Sequence, residues 1–326
     1  MNKKILVWIL ATILLTTVSP AQAQQPAKVA RIGVLGNSVV VDKERFEAFE
    51  AGLKALGWTA GKNIIIEYRW WEGDPDRAAT FAAELVRLKV DLILAPNSIT
   101  VEAARRETTN IPIVFNSHGD PVGAGHVASL AHPGGNITGF AQLQAEQNAK
   151  GLELLKEIFP KVNRVAVLWN PKAPAHQPII KAIEAMGREL KLRLLLFEIN
   201  DVSEVEKTFA AIARERAGSV LVLQAPVMMS ARQQLVDLAL RYRLPTMFGF
   251  SEFVELGGLL SYGTNLLDLY RRSADYVDKI LRGRKPADLP VQLPMKYEFA
   301  INLQTAKKIG VTIPQSVLFR ADKVIK

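Results

Sequence analysis

The sequence predicts an α/β protein made of two similar lobes, each a doubly wound, Rossmann-like parallel sheet with helices on both faces. Two observations support this prediction. Short apolar runs alternate with amphipathic segments along the chain, a pattern typical of buried parallel strands joined by crossover helices. The chain also contains an internal duplication, and a repeat constrains the architecture more strongly than local propensity does.

The amphipathic segments carry the signals expected of helices. Phe46, Phe49 and Leu53 follow the spacing of one helical face. Asp74 precedes Pro75, which is the arrangement of a helix N-cap followed by proline at the first helical position. These segments are therefore predicted to be the crossover helices of the lobes.

The duplication repeats at a spacing of about 133 residues. Three pairs of segments align in the same order, namely 28–37 with 161–170, 90–96 with 219–226, and 111–115 with 244–248. The tail after residue 263 is too short for a third domain, so it is shared between the lobes and implies three crossings between them. The predicted first lobe is 28–137 plus 262–294, the second lobe is 140–258 plus 297–326, and the crossings lie near 136–140, 258–263 and 294–298.

The N-terminus predicts export from the cytoplasm. Lys3 and Lys4 precede an apolar run over 5–18, and Ala21 and Ala23 supply the small residues of a cleavage site. Residues 1–23 are therefore predicted to be a signal peptide. The chain has no cysteine, which excludes a lipid-modified cysteine and any disulfide bond. We expect a periplasmic, monomeric protein that is not a lipoprotein.

The composition argues against several classes of function. The formal net charge is +9, but the basic residues are scattered and do not form the stripe expected of a nucleic-acid-binding protein. The four histidines have no metal-binding spacing, and neither a Gly-x-Ser-x-Gly elbow nor a phosphate-binding Gly-x-x-x-x-Gly-Lys motif occurs. We therefore expect no catalysis, no metal, no cofactor and no nucleic-acid partner.

Ligands of open α/β sheets bind beyond the carboxyl ends of the strands. If the two lobes face each other, the loops that follow their strands line one cleft and bind a small molecule there. The candidate ligand-binding residues in these loops are Asn37, Ser38, Asn97, Ser98, Ser117, His118, Asp120, Trp169, Asn170, Gln224, Phe250, Ser251, Glu252 and Tyr262.

The polar candidates have structural alternatives. Asn97 and Ser98 stand at a predicted helix start, where free backbone N–H groups favour a carboxylate, but either residue can instead be an N-cap. Asp120 precedes Pro121 and either pairs with an ammonium group or forms an Asp-Pro turn. Glu252 is a second candidate for the ammonium group, from the opposite lobe.

The aromatic candidates also have two interpretations. Trp169, Phe250 and Tyr262 form an apolar wall of the cleft or belong to the core, since small-molecule sites are mostly apolar and aromatic. Trp169 is the strongest of these candidates, because Gly36 occupies the equivalent position in the first repeat. A bulky residue at that strand end is therefore not required by the fold.

Four longer segments resemble a known family. They are GDPVGAG with SLAHPGGNITGF (119–140), LELLKEIFPKVNRVAVLWNP (152–171), YVDKILRGRKPADLPVQLP (276–294) and INLQTAKKIGVTIP (301–314). In these segments the chain resembles the ABC transporter substrate-binding proteins related to tryptophan- and tyrosine-binding proteins, with the periplasmic binding protein type 1 fold. His118 and His132 depart from the family pattern, and His118 lies in a predicted ligand loop.

The resemblance implies an extracytoplasmic receptor that delivers a small solute to an ABC permease in the membrane. The expected ligand is an amino acid, aromatic ones included, or a related carboxylate. The alternative function is a sensory binding protein that presents its ligand to a chemoreceptor or kinase. A DNA-binding repressor with the same lobes is not expected, because the segment before the first strand carries the predicted export signal and no helix-turn-helix.

Overall fold

The computed structural model describes residues 29–326, so the predicted signal peptide lies outside the described residues. Two sheets form the framework, one of five strands and one of seven. Within residues 29–326, none of the helices combines the length and apolar character needed to cross a bilayer.

The first sheet contains only parallel strands, in the order β2-β1-β3-β4-β5. Its elements are β1 (Ala30–Gly36), α1 (Val39–Ala55), β2 (Ile64–Trp70), α2 (Pro75–Arg87), β3 (Leu92–Leu94), α3 (Ser98–Glu107), β4 (Ile113–His118) and β5 (Ile137–Ala141). Strands β1, β3, β4 and β5 are almost entirely buried, as in a sheet covered on both faces, whereas the edge strand β2 is half-buried.

The second lobe repeats this plan and then adds the tail. Its first elements are α4 (Gln144–Ile158), β6 (Arg164–Trp169), α5 (His176–Glu189), β7 (Arg193–Glu198), a 3₁₀ turn (Val202–Glu204), α6 (Val205–Arg214), β8 (Ser219–Val222), α7 (Pro226–Ser230), α8 (Arg232–Arg241), β9 (Thr246–Phe248), α9 (Ser251–Glu255) and β10 (Leu260–Thr264). The tail comprises α10 (Leu266–Leu281), a second 3₁₀ turn (Pro286–Asp288), β11 (Tyr297–Asn302), α11 (Leu303–Ile309), α12 (Gln315–Leu318) and β12 (Lys323–Ile325).

The strand order confirms the duplication. The second sheet runs β12-β11-β10-β9-β8-β6-β7, so its section β7-β6-β8-β9-β10 has the same order as β2-β1-β3-β4-β5. The two repeats thus have the same winding, and the prediction of two doubly wound lobes is confirmed.

Two strands depart from the all-parallel prediction, because β11 is antiparallel to β10 and β12 is parallel to β11. The chain leaves the second sheet at the end of β10 and returns at the start of β11, and Thr264 pairs with Tyr297. Because the chain leaves and re-enters the sheet at the same end of its strands, β11 must run in the direction opposite to β10.

The first two predicted crossings need correction. Residues 137–141 form β5 of the first sheet, so the chain changes lobe between Ala141 and Gln144. Strand β10 belongs to the second sheet, so the next change falls between Thr264 and Leu266. The prediction placed the crossings at the glycine-rich turns around 134–135 and 257–258, but these turns precede β5 and β10. The chain changes lobe only after each of these strands. The last change of sheet lies between Gln292, which bridges to Phe140, and Tyr297.

Helix α10 follows a strand of the second sheet but packs on the first lobe. Tyr270 and Ala274 lie in one buried cluster with Phe46 and Phe49 of α1. Gly52 allows this close approach, because a Cβ atom there would lie 2.8 Å from the Cβ of Ala274. The packing places Tyr270 at the junction of the lobes.

Candidate ligand-binding site

A cleft lies between the two lobes at the carboxyl ends of their parallel strands. The empty space between its walls, with the adjoining open solvent included, is about 660 Å³, and the part open to the centre of a water molecule is about 60 Å³. Residues following β1, β3 and β4 line it from one side, and residues following β6, β8 and β9 line it from the other. The segment between the lobes contributes Gln142 and Gln144.

The cleft brings together part of the predicted set. The predicted residues that line it are Asn37, Asn97, Ser98, Ser117, Gln224 and Phe250. Five of them follow a strand and precede or begin a helix, and Ser117 lies one residue before the end of β4. The strand-end rule therefore located both walls of the cleft.

The start of α3 is a helix cap as well as a cleft wall. The Asn97 side chain accepts hydrogen bonds from the N–H groups of Ile99 and Thr100, and the Thr100 hydroxyl accepts from the N–H of Asn97. Two of the N–H groups at this helix start are thus already bonded. Ser98, the first residue of α3, also lines the cleft and is 6% exposed.

Three amide side chains of the cleft keep a polar atom without a partner among the described residues. These atoms are Asn37 Oδ1, Gln144 Oε1 and Gln224 Nε2, and each residue is more than nine-tenths buried. A buried polar atom without a hydrogen bond carries a cost of about 1–3 kcal/mol. A ligand that donates to the two oxygens and accepts from the nitrogen removes this cost.

A group of charged residues forms one end of the cleft. Arg45 Nη1 lies 3.1 Å from Asp42 Oδ1, and Arg45 Nη2 lies 3.3 Å from Glu252 Oε1 in the opposite lobe. Burial raises the pKa of Asp42, although Arg45 opposes this shift. Burial alone disfavours the charged form of Arg45, but the carboxylates of Glu252 and Asp42 raise the pKa of this guanidinium. Arg45 therefore stays positive.

His176 is a buried neutral imidazole in the wall of the cleft. Its Nδ1 accepts a hydrogen bond from the N–H of Asn170 at 2.9 Å, so its Nε2–H donates to the carbonyl of Gln224 at 3.1 Å. Burial lowers the pKa of His176 to about 4. This imidazole holds the loop after β6 against the loop after β8, which carries Gln224.

The remaining wall is apolar. The first lobe contributes Val41 and Tyr270 to this wall, and the second lobe contributes Met229 and Phe250. Leu266, at the start of α10, closes the surface between them. Burial raises the pKa of Tyr270, so its hydroxyl stays neutral and can donate or accept a hydrogen bond.

Three predicted residues of the first lobe lie outside this lining. Ser38 caps α1 by accepting from the N–H of Val41. His118 is fully buried, and its Nε2 lies 2.7 Å from Nδ1 of His126. Asp120 accepts from the N–H of Gly123 and forms the alternative turn structure. A β-bulge between Phe115 and His118 shifts the register there, and the cleft is lined by the flanking residues Ser117 and Gly119.

Five predicted residues of the second lobe also lie outside the lining. Trp169 belongs to the core, and Tyr262 stacks on Tyr297 with ring centres 5.6 Å apart. Asn170 accepts from the N–H of Lys172 and stabilises its own loop. Ser251 and Glu252 begin the short helix α9 outside the cleft. Packing and hydrogen bonds within the lobe account for Trp169, Tyr262 and Asn170, whereas the Glu252 carboxylate pairs with Arg45 of the first lobe.

Five cleft residues were not predicted from the sequence: Asp42 and Arg45 in the first turns of α1, Gln142 and Gln144 between the lobes, and Tyr270 of α10. Gln142 and Gln144 could have been found from the sequence, because both follow β5 at the point where the chain passes from one lobe to the other. Two amide side chains at such a point indicate a polar site between the lobes. Among residues 29–326, no cluster of three or more potential metal-binding side chains is present.

The fold and the cleft together define a two-lobed binding protein with the periplasmic binding protein type 1 architecture. Comparison with known families agrees: residues 40–325 match the family model described as ABC transporter substrate binding protein. The chain belongs to this family.

Relatives with known names or structures share most of the chain. A tyrosine-binding protein of Clostridioides difficile (strain R20291) is 26% identical over 284 residues, which are 85% of this chain and 81% of the relative. The ABC domain from Streptococcus pneumonia in complex with L-Trp is 26% identical, with a TM-score of 0.83 over 91% of this chain and 99% of that one. The ligand-free, open structure of an adhesive substrate-binding protein from Clostridium difficile is 25% identical, with a TM-score of 0.64 and the same coverage.

Proposed function

We propose that this protein binds an aromatic α-amino acid in the cleft between its lobes and delivers it to an ABC permease from the extracytoplasmic side of the membrane. The observation that carries the proposal is the composition of the cleft, where three unpartnered buried amide atoms stand beside an apolar and aromatic wall. The tyrosine and tryptophan ligands of the relatives support the same class of ligand. The predicted signal peptide supports export to the periplasm.

The amide atoms suggest how the ligand is oriented. An ammonium group donates to Asn37 Oδ1 and Gln144 Oε1, which need donors. A carboxylate accepts from Gln224 Nε2 and from the start of α3 at Ser98, where the positive end of the helix dipole favours negative charge. The aromatic ring then packs against Phe250 and Tyr270.

Ligand capture by hinge closure fits the fold. A ligand that contacts both lobes has greater affinity for the closed form and shifts the open-to-closed equilibrium toward it. The chain superimposes better on the tryptophan complex than on the open structure, with TM-scores of 0.83 and 0.64 at nearly equal identity and coverage. This difference supports a closed arrangement of the lobes.

We expect L-tyrosine or L-tryptophan to stabilise the protein more than other solutes. A ligand at about 1,000 times its Kd adds about 4 kcal/mol, which corresponds to a rise in melting temperature on the order of 8 °C. The measurement is a thermal-shift screen of the protein without residues 1–23, using amino acids, aromatic acids, sugars and purines. A rise with sugars alone would contradict the proposal.

The variant Gln224→Glu tests the proposed position of the carboxylate. It keeps an acceptor for Asn148 Nδ2, which lies 3.3 Å from Gln224 Oε1, but it replaces the unpartnered amide nitrogen with a negatively charged oxygen. The Kd for the amino acid is expected to rise about 100-fold, measured by calorimetry. Gln315→Glu adds the same charge at an exposed position of the same lobe and should leave the Kd unchanged. An unchanged Kd in Gln224→Glu would place the carboxylate elsewhere.

A further inference from the structure

Two side-chain contacts cross the cleft and join the lobes directly. Arg45 Nη2 of α1 lies 3.3 Å from Glu252 Oε1 of α9, and Asn37 Nδ2 donates to the hydroxyl of Ser230 at 3.1 Å. Both contacts are made between protein side chains, and neither involves a ligand. The contacts therefore favour closure whatever molecule occupies the cleft.

The environment of Arg45 makes the ion pair with Glu252 the stronger of the two contacts. The Arg45 side chain is 9% exposed, while that of Glu252 is 36% exposed. Within its own lobe Arg45 has the partner Asp42 at 3.1 Å. When the lobes separate, Arg45 keeps Asp42 and loses Glu252, so the second ion pair exists only in the closed form.

We infer that Glu252 is an affinity-determining residue that acts through Arg45: it raises the population of the closed form without touching the ligand. The apparent Kd of a protein with two forms equals the intrinsic Kd divided by the fraction of the binding-competent form. Loss of the pair therefore weakens every ligand by one common factor. This inference rests on the proposed hinge closure, but not on the identity of the ligand.

The distance between the lobes tests the inference directly. The chain has no cysteine, so cysteines introduced by Val40→Cys in the first lobe and Gln233→Cys in the second are the sole sites for spin labels. Both residues line one groove at the mouth of the cleft. In the protein without added ligand, Glu252→Gln is expected to shift the distance distribution toward longer distances. Ser230→Ala, which removes the weaker contact, should shift it less.

A matched control lies in the same helix. Glu255→Gln makes the same change of charge, but Glu255 pairs with Lys323 within the second lobe at 2.6 Å. Its distance distribution should equal that of the unsubstituted protein. Circular dichroism of each variant checks that the fold is kept, and Glu252→Asp, which shortens the side chain and so lengthens the distance to Arg45, carries the test if Glu252→Gln is not folded.

Binding constants provide the second readout. We expect Glu252→Gln to raise the Kd of L-tyrosine and of L-tryptophan by the same factor of about five, so that their ratio stays constant. A changed ratio would mean that Glu252 contacts the ligand, and it would overturn the inference. A distance distribution that Glu252→Gln leaves unaltered would also overturn it. If neither amino acid binds, the proposed function fails, while the distance measurement still decides the role of Glu252.

Discussion

Replacing Gly139 by alanine is expected to lower the free energy of unfolding by about 4 kcal/mol or more and to abolish ligand binding. Gly139 pairs with Phe115 between β5 and β4, and its φ is +150°. A Cβ atom there would lie 1.9 Å from the carbonyl oxygen of Phe115. Because the obstacle is backbone, no rotation of a side chain relieves the clash.

The loss of binding follows from the position of this pair. Four residues at the ends of these strands line the cleft, namely Ser117 one residue before the end of β4, Gly119 directly after β4, and Gln142 and Gln144 after β5. Separation of the two strands displaces all of them together. Urea unfolding and calorimetry with L-tyrosine measure the two effects.

Gly135→Ala is the control for this prediction. Gly135 lies four residues earlier on the same approach to β5, and a Cβ atom there has nothing within 4 Å. Its substitution should change the stability by less than about 0.5 kcal/mol. Equal stability of Gly139→Ala and Gly135→Ala would show that the pairing of β4 with β5 tolerates a side chain.

Acidification from pH 7 to pH 4 is expected to cost about 3 kcal/mol of stability through His176 alone. Burial lowers the pKa of His176 to about 4 in the folded protein, whereas an unfolded histidine has a pKa of about 6.5. Below pH 6.5 the unfolded chain therefore binds a proton that the folded protein does not. Stability is lost as the pH falls from about 6.5, and the loss levels off below the folded pKa.

The variant His176→Gln isolates this contribution, because glutamine has a donor and an acceptor but does not titrate. Burial also lowers the pKa of His118 and His126, so the unsubstituted protein loses further stability in the same direction. The difference between the two proteins, from urea unfolding at several pH values, should shrink by about 3 kcal/mol between pH 7 and pH 4. His132→Gln, at an exposed position, is the control. Parallel stability curves for His176→Gln and the unsubstituted protein would contradict the assignment.

Local sequence was enough to predict the two lobes, because the strands are continuous apolar runs and the repeated segments occur in the same order. It was also enough to find six cleft residues, including Asn37, Ser98 and Gln224. The carboxyl ends of parallel strands all lie at the same end of the sheet. A residue that directly follows one of these strands must therefore lie at that end as well. The observed strand orders and cleft lining agree with this reasoning.

The tertiary structure alone decided which way individual side chains face and which distant residues meet. A β-bulge turns His118 toward His126, and packing encloses Trp169 in the core of its lobe. Arg45 and Glu252 are 207 residues apart in the chain and meet only because the two lobes lie against each other. Helix α10 returns to the first lobe and brings Tyr270 to the cleft. These features depend on contacts between distant segments, and the periodicity of a single segment carries no information about its partners.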